Sequence, residues 1–388
     1  MLSNALPRRS AASLYCILAF CTFTFSQTLT VLHTFNGSDG ESPLGGLIDG
    51  SDGYLYGTTD FGGKRGCGTV FKISLSGKFK SIYSFAGGND GCEPGRSVIR
   101  DAAGNVYGTT EAGGPLNLGT VFKVDITGHE SVLYAFTGES DGAFPDNDLV
   151  RDKNGNLYGT TITGGDGGCG TLFKIDTKGK ESVFYAFVGD GIHACAPTGS
   201  PVIDSSGNLY GPAQGGAYAS GYIFKIDAKG NFTDVLDFGL FPSVNGADPL
   251  SDLTFGPRGI LYGTTSYGGD LSCSSIGCGT VFEISNGVET VLHAFGPPPA
   301  DVSNVSGPLD RDSAGSLYGA ASGGIVNAGA IYKVDSSGNE TVVYSFTGGK
   351  DGSTPYGRLY VNSTGAVFGT TLFGGNSNND GVVFKITP

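Results

Sequence analysis

The chain has no tryptophan, four histidines and few charges, with Asp, Glu, Lys and Arg making up 15% of 388 residues. Basic residues are the scarcer sign, 23 against 36 acids, for a net charge of −13. Phosphate binding needs clustered Lys and Arg, so no nucleic-acid partner is expected. The histidines offer no metal set and no Ser/His/Asp constellation. His33 and His293 take a strand position held elsewhere by Tyr83, Tyr134, Tyr185 and Tyr344, His129 sits in a turn, and His193 in a cysteine-bearing loop. No C-x-x-C pair is present, and no helical periodicity is sustained over a dozen residues. The apolar run from Ala11 to Phe25 is shorter than the roughly 20 residues that span a bilayer, so no transmembrane segment is expected in the mature chain. The missing tryptophan weakens a polysaccharide platform without removing it.

What the chain does have is 68 glycines, 17 prolines, 25 phenylalanines and 18 tyrosines. That combination is rich in turns yet supplies ample core material. Residues 1–26, with Arg8 and Arg9 ahead of the apolar run and small residues near its end, read as a cleaved secretory signal. The expected product is secreted or extracellular, with the periplasm as the alternative compartment, and monomeric. Six cysteines remain after the leader: Cys67, Cys92, Cys169, Cys195, Cys273 and Cys278. An even number in an exported chain favours disulfides over metal ligation.

One phrase recurs seven times. LYGTT from Leu55 returns in close variants from Val106, Leu157, Leu209, Leu261, Leu317 and Val367. Each unit begins with a short apolar run and a D-x-x-G-N turn such as Asp101 to Asn105. The LYGTT strand, a paired-glycine loop, a GTVFKI strand, another turn and a VLYAF-type strand follow. Alternating β-branched and aromatic residues between Gly, Asp and Asn mark strands and turns. Four short strands per unit, in seven units at one period, predict an all-β, seven-bladed β-propeller with four antiparallel strands per blade over residues 27–388. The first strand, Thr28 to Phe35, is of the last type in the unit, and the final one, Gly381 to Thr387, is of the third type. The N-terminal strand is therefore expected to complete the last blade, removing free sheet edges.

The succession of LYGTT, Gly-Gly loop, GTVFKI, VLYAF and DGxxP resembles the tandem repeats of the bacterial choice-of-anchor GloVer-repeat proteins. The resemblance covers the mature chain and implies a bacterial secreted or cell-surface propeller, with no activity established for the family as a whole.

Aligned units constrain the bridges. Cys67 and Cys169 each precede the Gly that opens a third strand, and Cys92 and Cys195 each stand two residues before a loop Pro. The second unit has Leu118 and Ala143 there, losing both together. Joint presence and absence predict Cys67–Cys92 and Cys169–Cys195, leaving Cys273–Cys278 within one extended loop.

A functional site must break the repeat. The third residue after the loop Pro reads Gly46, Ser97, Asp148, Ser200, Asp252, Pro308 and Arg358, and the residue before it is Arg96 in the second unit. Arg96, Asp148, Asp252 and Arg358 are thus the candidate polar groups at the channel mouth. Tyr267, in the long loop Ser266 to Cys278, is a candidate for stacking on a sugar or peptide. No catalytic residue and no metal ligand is assigned. The DG loops at Asp39, Asp90, Asp141, Asp190 and Asp351 read as turns. No cofactor is expected; calcium is the weaker alternative, its most acidic place Glu139, Asp141, Asp146 and Asp148. The expected function is a binding or cell-surface interaction module for a glycan, peptide or protein. One alternative is an extracellular glycan hydrolase or lyase using Asp148 and Asp252, and another is a purely structural surface protein.

Overall fold

The computed structural model describes residues 27–189, 196–297, 302–305, 307–323 and 326–388. The expected leader, Asp190, His193 and Cys195 lie outside them. Seven antiparallel sheets follow one another along the chain. Blade 1 is formed by Ile48–Asp49, Tyr54–Thr59, Thr69–Ser74 and Phe79–Ser84. Blades 2 to 6 repeat the order, ending on Glu130–Ala135, Glu181–Ala186, Phe232–Asp237, Val288–Ala294 and Glu340–Ser345. In blade 7, Val367–Phe373 and Val382–Thr387 are completed by Thr28–Thr34, which pairs Thr28 with Thr387 and Thr34 with Val382. The architecture is the expected seven-bladed propeller closed by its N-terminal strand. Among the described residues no helix is long and apolar enough to cross a membrane.

Each phrase of the repeat has a structural cause. The Gly of LYGTT leaves room for the ring of the GTVFKI phenylalanine on the neighbouring strand: a Cβ on Gly57 would lie 2.7 Å from Phe71 Cζ, and one on Gly263 2.5 Å from Phe282 Cζ. The second Thr of the phrase meets the Thr of GTV inside the blade, as Thr59–Thr69 and Thr110–Thr120 do at 2.9 and 2.8 Å. The first Thr reaches the next blade instead, Thr109 Oγ1 donating to the Asn147 carbonyl at 3.1 Å. In the D-x-x-G-N turn, Asp101 accepts from the Asn105 amide, the Asn105 side chain and the Tyr107 hydroxyl.

The core lies between blades, as expected where sheets pack face to face. Tyr56, Val70 and Phe85 of blade 1 bury against Val98, Val106, Phe122 and Val124 of blade 2. At the rim, outer strands meet through one repeated position. His33 stacks on Phe79 with ring centroids 3.8 Å apart, and Tyr185 stacks on Phe232 at 5.1 Å. His33 also lies 3.0 Å from Asp39, and burial lowers its pKa. It is a packing residue.

Two expected bridges are formed. Cys67–Cys92 ties the paired-glycine loop of blade 1 to the segment entering blade 2, and Cys273–Cys278 closes the extended loop of blade 5. The expected Cys169–Cys195 bridge lies outside the described residues through Cys195.

Candidate functional site: the loop face and its axial mouth

The segments entering the blades converge on the axis. The position singled out by repeat alignment forms a chain of hydrogen bonds from blade to blade. Gly46 N–H donates to Ser97 Oγ at 2.9 Å, Ser97 N–H to Asp148 Oδ1, Asp148 N–H to Ser200 Oγ at 2.8 Å, and Ser200 N–H to Asp252 Oδ1 at 2.7 Å. Each side chain accepts from the equivalent backbone amide of the preceding blade. At blade 6 the position is Pro308, which has neither an N–H nor a side-chain acceptor. Arg358 of blade 7 spans that gap, its Nη2 donating to Asp252 Oδ2 at 3.4 Å. Asp252 is only 2% exposed. Burial and the neighbouring Asp252 push the Asp148 carboxyl up to about 6, against Arg358, the Ser97 amide and Arg96. Of the four axial candidates, Asp148, Asp252 and Arg358 are thus engaged in this ring, and Arg96 lines the mouth.

The mouth is a hollow of about 290 Å³ lined by Arg96, Asp146, Thr198, Gln214, Leu250 and Tyr356, drawn from five blades. Arg96 Nη2 lies 3.7 Å from Asp146 Oδ2, and the guanidinium sits 5.5 Å from the Tyr356 ring centroid. Burial opposes its charge, but Tyr356, Asp146, Asp252 and Asp148 outweigh burial and raise its pKa. Its Nε finds no hydrogen-bond partner among the described residues. Beside it, burial together with Asp146, Glu111 and Glu93 pushes Asp60 up to about 8, and Asp60 Oδ1 likewise has no hydrogen-bond partner among the described residues.

Around the mouth runs a second ring that sequence reasoning missed. The residue before the loop Pro, or its equivalent, is Ser42, Glu93, Phe144, Ala196, Asp248, Asn304 or Thr354, and all seven have left-handed φ between 54° and 68°. Non-glycine residues rarely adopt this conformation, at a cost of about 1–3 kcal/mol each, unless the surroundings impose it. Here they do. The Ser42, Glu93, Phe144, Ala196, Asp248 and Thr354 amides donate to carbonyls of the preceding blade at 2.7–3.1 Å. The residues that follow the second Thr of the LYGTT phrase, such as Asp60, Ile162, Gln214 and Ser266, donate back to the strained residues' carbonyls. A constant backbone thereby displays side chains that differ from blade to blade. The available signal was that the residues flanking the loop Pro and LYGTT vary while the phrases do not.

Tyr267 lies away from the axis, in a hollow of about 660 Å³ between blades 4 and 5. It is joined there by Tyr218, Phe241, Ser220, Asp248 and Gln214, and Gln214 also lines the mouth. The DG-loop carboxylates among the described residues are occupied in closing their own loops: Asp141 accepts from Tyr134, Thr137 N–H and Thr137 Oγ1, and Asp351 does the same with Tyr344 and Thr347. Asp146 faces Arg96. Among the described residues no group of three or more His, Cys, Asp or Glu is placed to hold a metal ion.

The fold is shared with solved structures of low sequence identity. Virginiamycin B lyase from Staphylococcus aureus superposes with a TM-score of 0.61 at 14% identity, over 94% of this chain and 99% of that one. Oligogalacturonate lyase from Vibrio parahaemolyticus gives 0.58 at 13% identity, over 92% and 93%. At such identities the likeness is one of fold alone. No curated protein matches the chain. The sequence model of the Gloeobacter/Verrucomicrobia repeat matches residues 19–211, 152–298 and 271–388. These overlapping stretches run through every blade, and the chain belongs to that repeat family.

Proposed function

We propose that this protein is an exported binding module that captures its ligand on the loop face, at and around the axial mouth. The supporting observation is the ring of seven strained residues, a fixed backbone carrying Ser, Glu, Phe, Ala, Asp, Asn and Thr in turn. Uniform packing would be served by a uniform residue; one asymmetric surface on a symmetric frame serves recognition. Asp148 and Asp252 act in ring closure under this reading, which removes them as an acid–base pair.

The second reading is a glycan-acting lyase or hydrolase. What favours it is Asp60, whose carboxyl is held protonated near neutral pH beside Glu111 and Asp146, a state suited to a general acid. Two of its structural neighbours are named as lyases. An array of glycans and peptides probed with the purified protein, followed by turnover assays on each hit, separates the two. Binding without turnover, weakened by Arg96→Ala, is the expected result. Product formation abolished by Asp60→Asn would replace the module with an enzyme, and silence across the array would overturn both.

A further inference from the structure

We infer that the hollow between blades 4 and 5 is a subsite for an uncharged saccharide. The inference deepens the binding-module reading and rests on it. Three aromatic side chains reach the hollow from three separate loops: Tyr218 between the second and third strands of blade 4, Phe241 between blades 4 and 5, and Tyr267 between the second and third strands of blade 5. They are 50%, 43% and 36% exposed, whereas most other aromatics among the described residues are buried or half-buried. Phe241 and Tyr267 stand edge to face, their ring centroids 5.9 Å apart at 71°, forming a corner with both walls apolar. Gly268 and Gly269 follow Tyr267 at φ of 82° and 77°, and Tyr267 exchanges backbone hydrogen bonds with Ala247 at 3.0 and 3.2 Å. The platform is therefore held in place before any ligand arrives.

Polar groups complete the corner. Asp248 is one of the seven strained residues; its amide donates to the Ser220 carbonyl at 2.7 Å and its carbonyl accepts from Ser266 at 3.1 Å. Its half-buried carboxylate, whose pKa is raised by burial alone, has no hydrogen-bond donor among the described residues. A carboxylate so placed takes two hydroxyls at once. Gln214, exposed at the rim, offers a donor and an acceptor and connects the hollow to the mouth. Apolar rings set against a few oriented polar groups, in a volume within the usual range for ligand pockets, match a pyranose, which has C–H faces and a rim of hydroxyls. A proline-rich peptide needs a row of roughly parallel rings spaced along an extended helix, which this corner does not present. An anionic polysaccharide would meet Asp248 and a chain of net charge −13. The hollow therefore suits a neutral sugar unit, with the rest of an oligosaccharide running over Gln214 toward the mouth.

The test is calorimetric titration of the full mature chain with cellohexaose and, separately, chitohexaose, compared with a proline-rich decapeptide. Wild type should bind at least one hexasaccharide. Tyr267→Ala and Tyr218→Ala should each weaken it about tenfold. Tyr267→Phe, which keeps the ring, should bind as wild type, and Val288→Ala, an exposed change on the opposite face, should have no effect. Unchanged melting of each variant excludes loss of fold, and Asp248→Asn serves as a second probe that keeps the volume. If affinity falls with Arg96→Ala but survives both tyrosine changes, the saccharide sits at the mouth; the hollow assignment fails and the module reading stands. Binding of the peptide alone overturns the saccharide class. No binding of either hexasaccharide, with array hits of other chemistry, overturns this inference without touching the module.

Discussion

Asp252 is the residue on which most of the axis converges: it accepts from Ser200 and from Arg358 while almost wholly buried. Asp252→Ala strands a guanidinium and an amide, and is expected to cost about 3 kcal/mol in chemical denaturation. Asp252→Asn should cost less, since its amide oxygen still accepts from Ser200. A midpoint for the alanine variant equal to wild type would show that the ring does not contribute. At this scale the site was half legible. Aligning the repeats found Asp148, Asp252 and Arg358, because the position carries charge in some units and glycine or serine in others. It did not find the ring of left-handed residues, since backbone dihedrals leave no mark when the residue is not glycine. Tyr218 and Phe241 were equally hidden, being 49 and 26 residues from Tyr267 and brought to it only by blade packing.

Within a blade, every part of the repeat has a contact that explains it. The glycine of LYGTT has an extended backbone and is set by space alone, because a phenylalanine ring occupies the place of its Cβ. Gly263→Ala is expected to cost about 1–3 kcal/mol, as overpacking does. Adding Phe282→Leu to that background should recover part of the loss in a thermal melt; if the double variant is simply additive, the Cβ–ring contact is not the cause. This level was the most legible of the three. Strand order and closure of the seventh blade followed from phrase types, the Cys67–Cys92 bridge from cysteines present or absent together, and Cys273–Cys278 as the pair left over. Registers across the bulges of the outer strands, as between Val70 and Phe71, carry no sequence signal, because the period of two is broken there.

For the molecule as a whole, buried carboxyls set the response to pH. Burial raises Glu181 and Glu289 to about 7, and burial with nearby acids raises Asp60 to about 8. A carboxyl raised on folding stabilises the fold while protonated, so this contribution is complete below about pH 4 and is lost as pH climbs through 7 and 8. The turn carboxylates Asp101, Asp152 and Asp204 are lowered despite burial, chiefly by hydrogen bonds from Asn105, Asn156 and Asn208. Their contribution is lost as pH falls through their native values. The melting temperature should peak at mildly acid pH and decline up to about pH 8, and Glu289→Gln should flatten the part of that decline below about pH 7. A melting temperature rising steadily from pH 5 to 9 would contradict this. The ring at the axis also has a seam. A circle of equal joints has no preferred place to open, but this one does: the amide relay runs in one sense from blade 1 and stops at Pro308, where Arg358 straps across. Arg358→Ala should therefore speed hydrogen exchange first in blade 6, leaving blades 2 to 4 as slow as before, so that the propeller unfastens like a bracelet at its clasp.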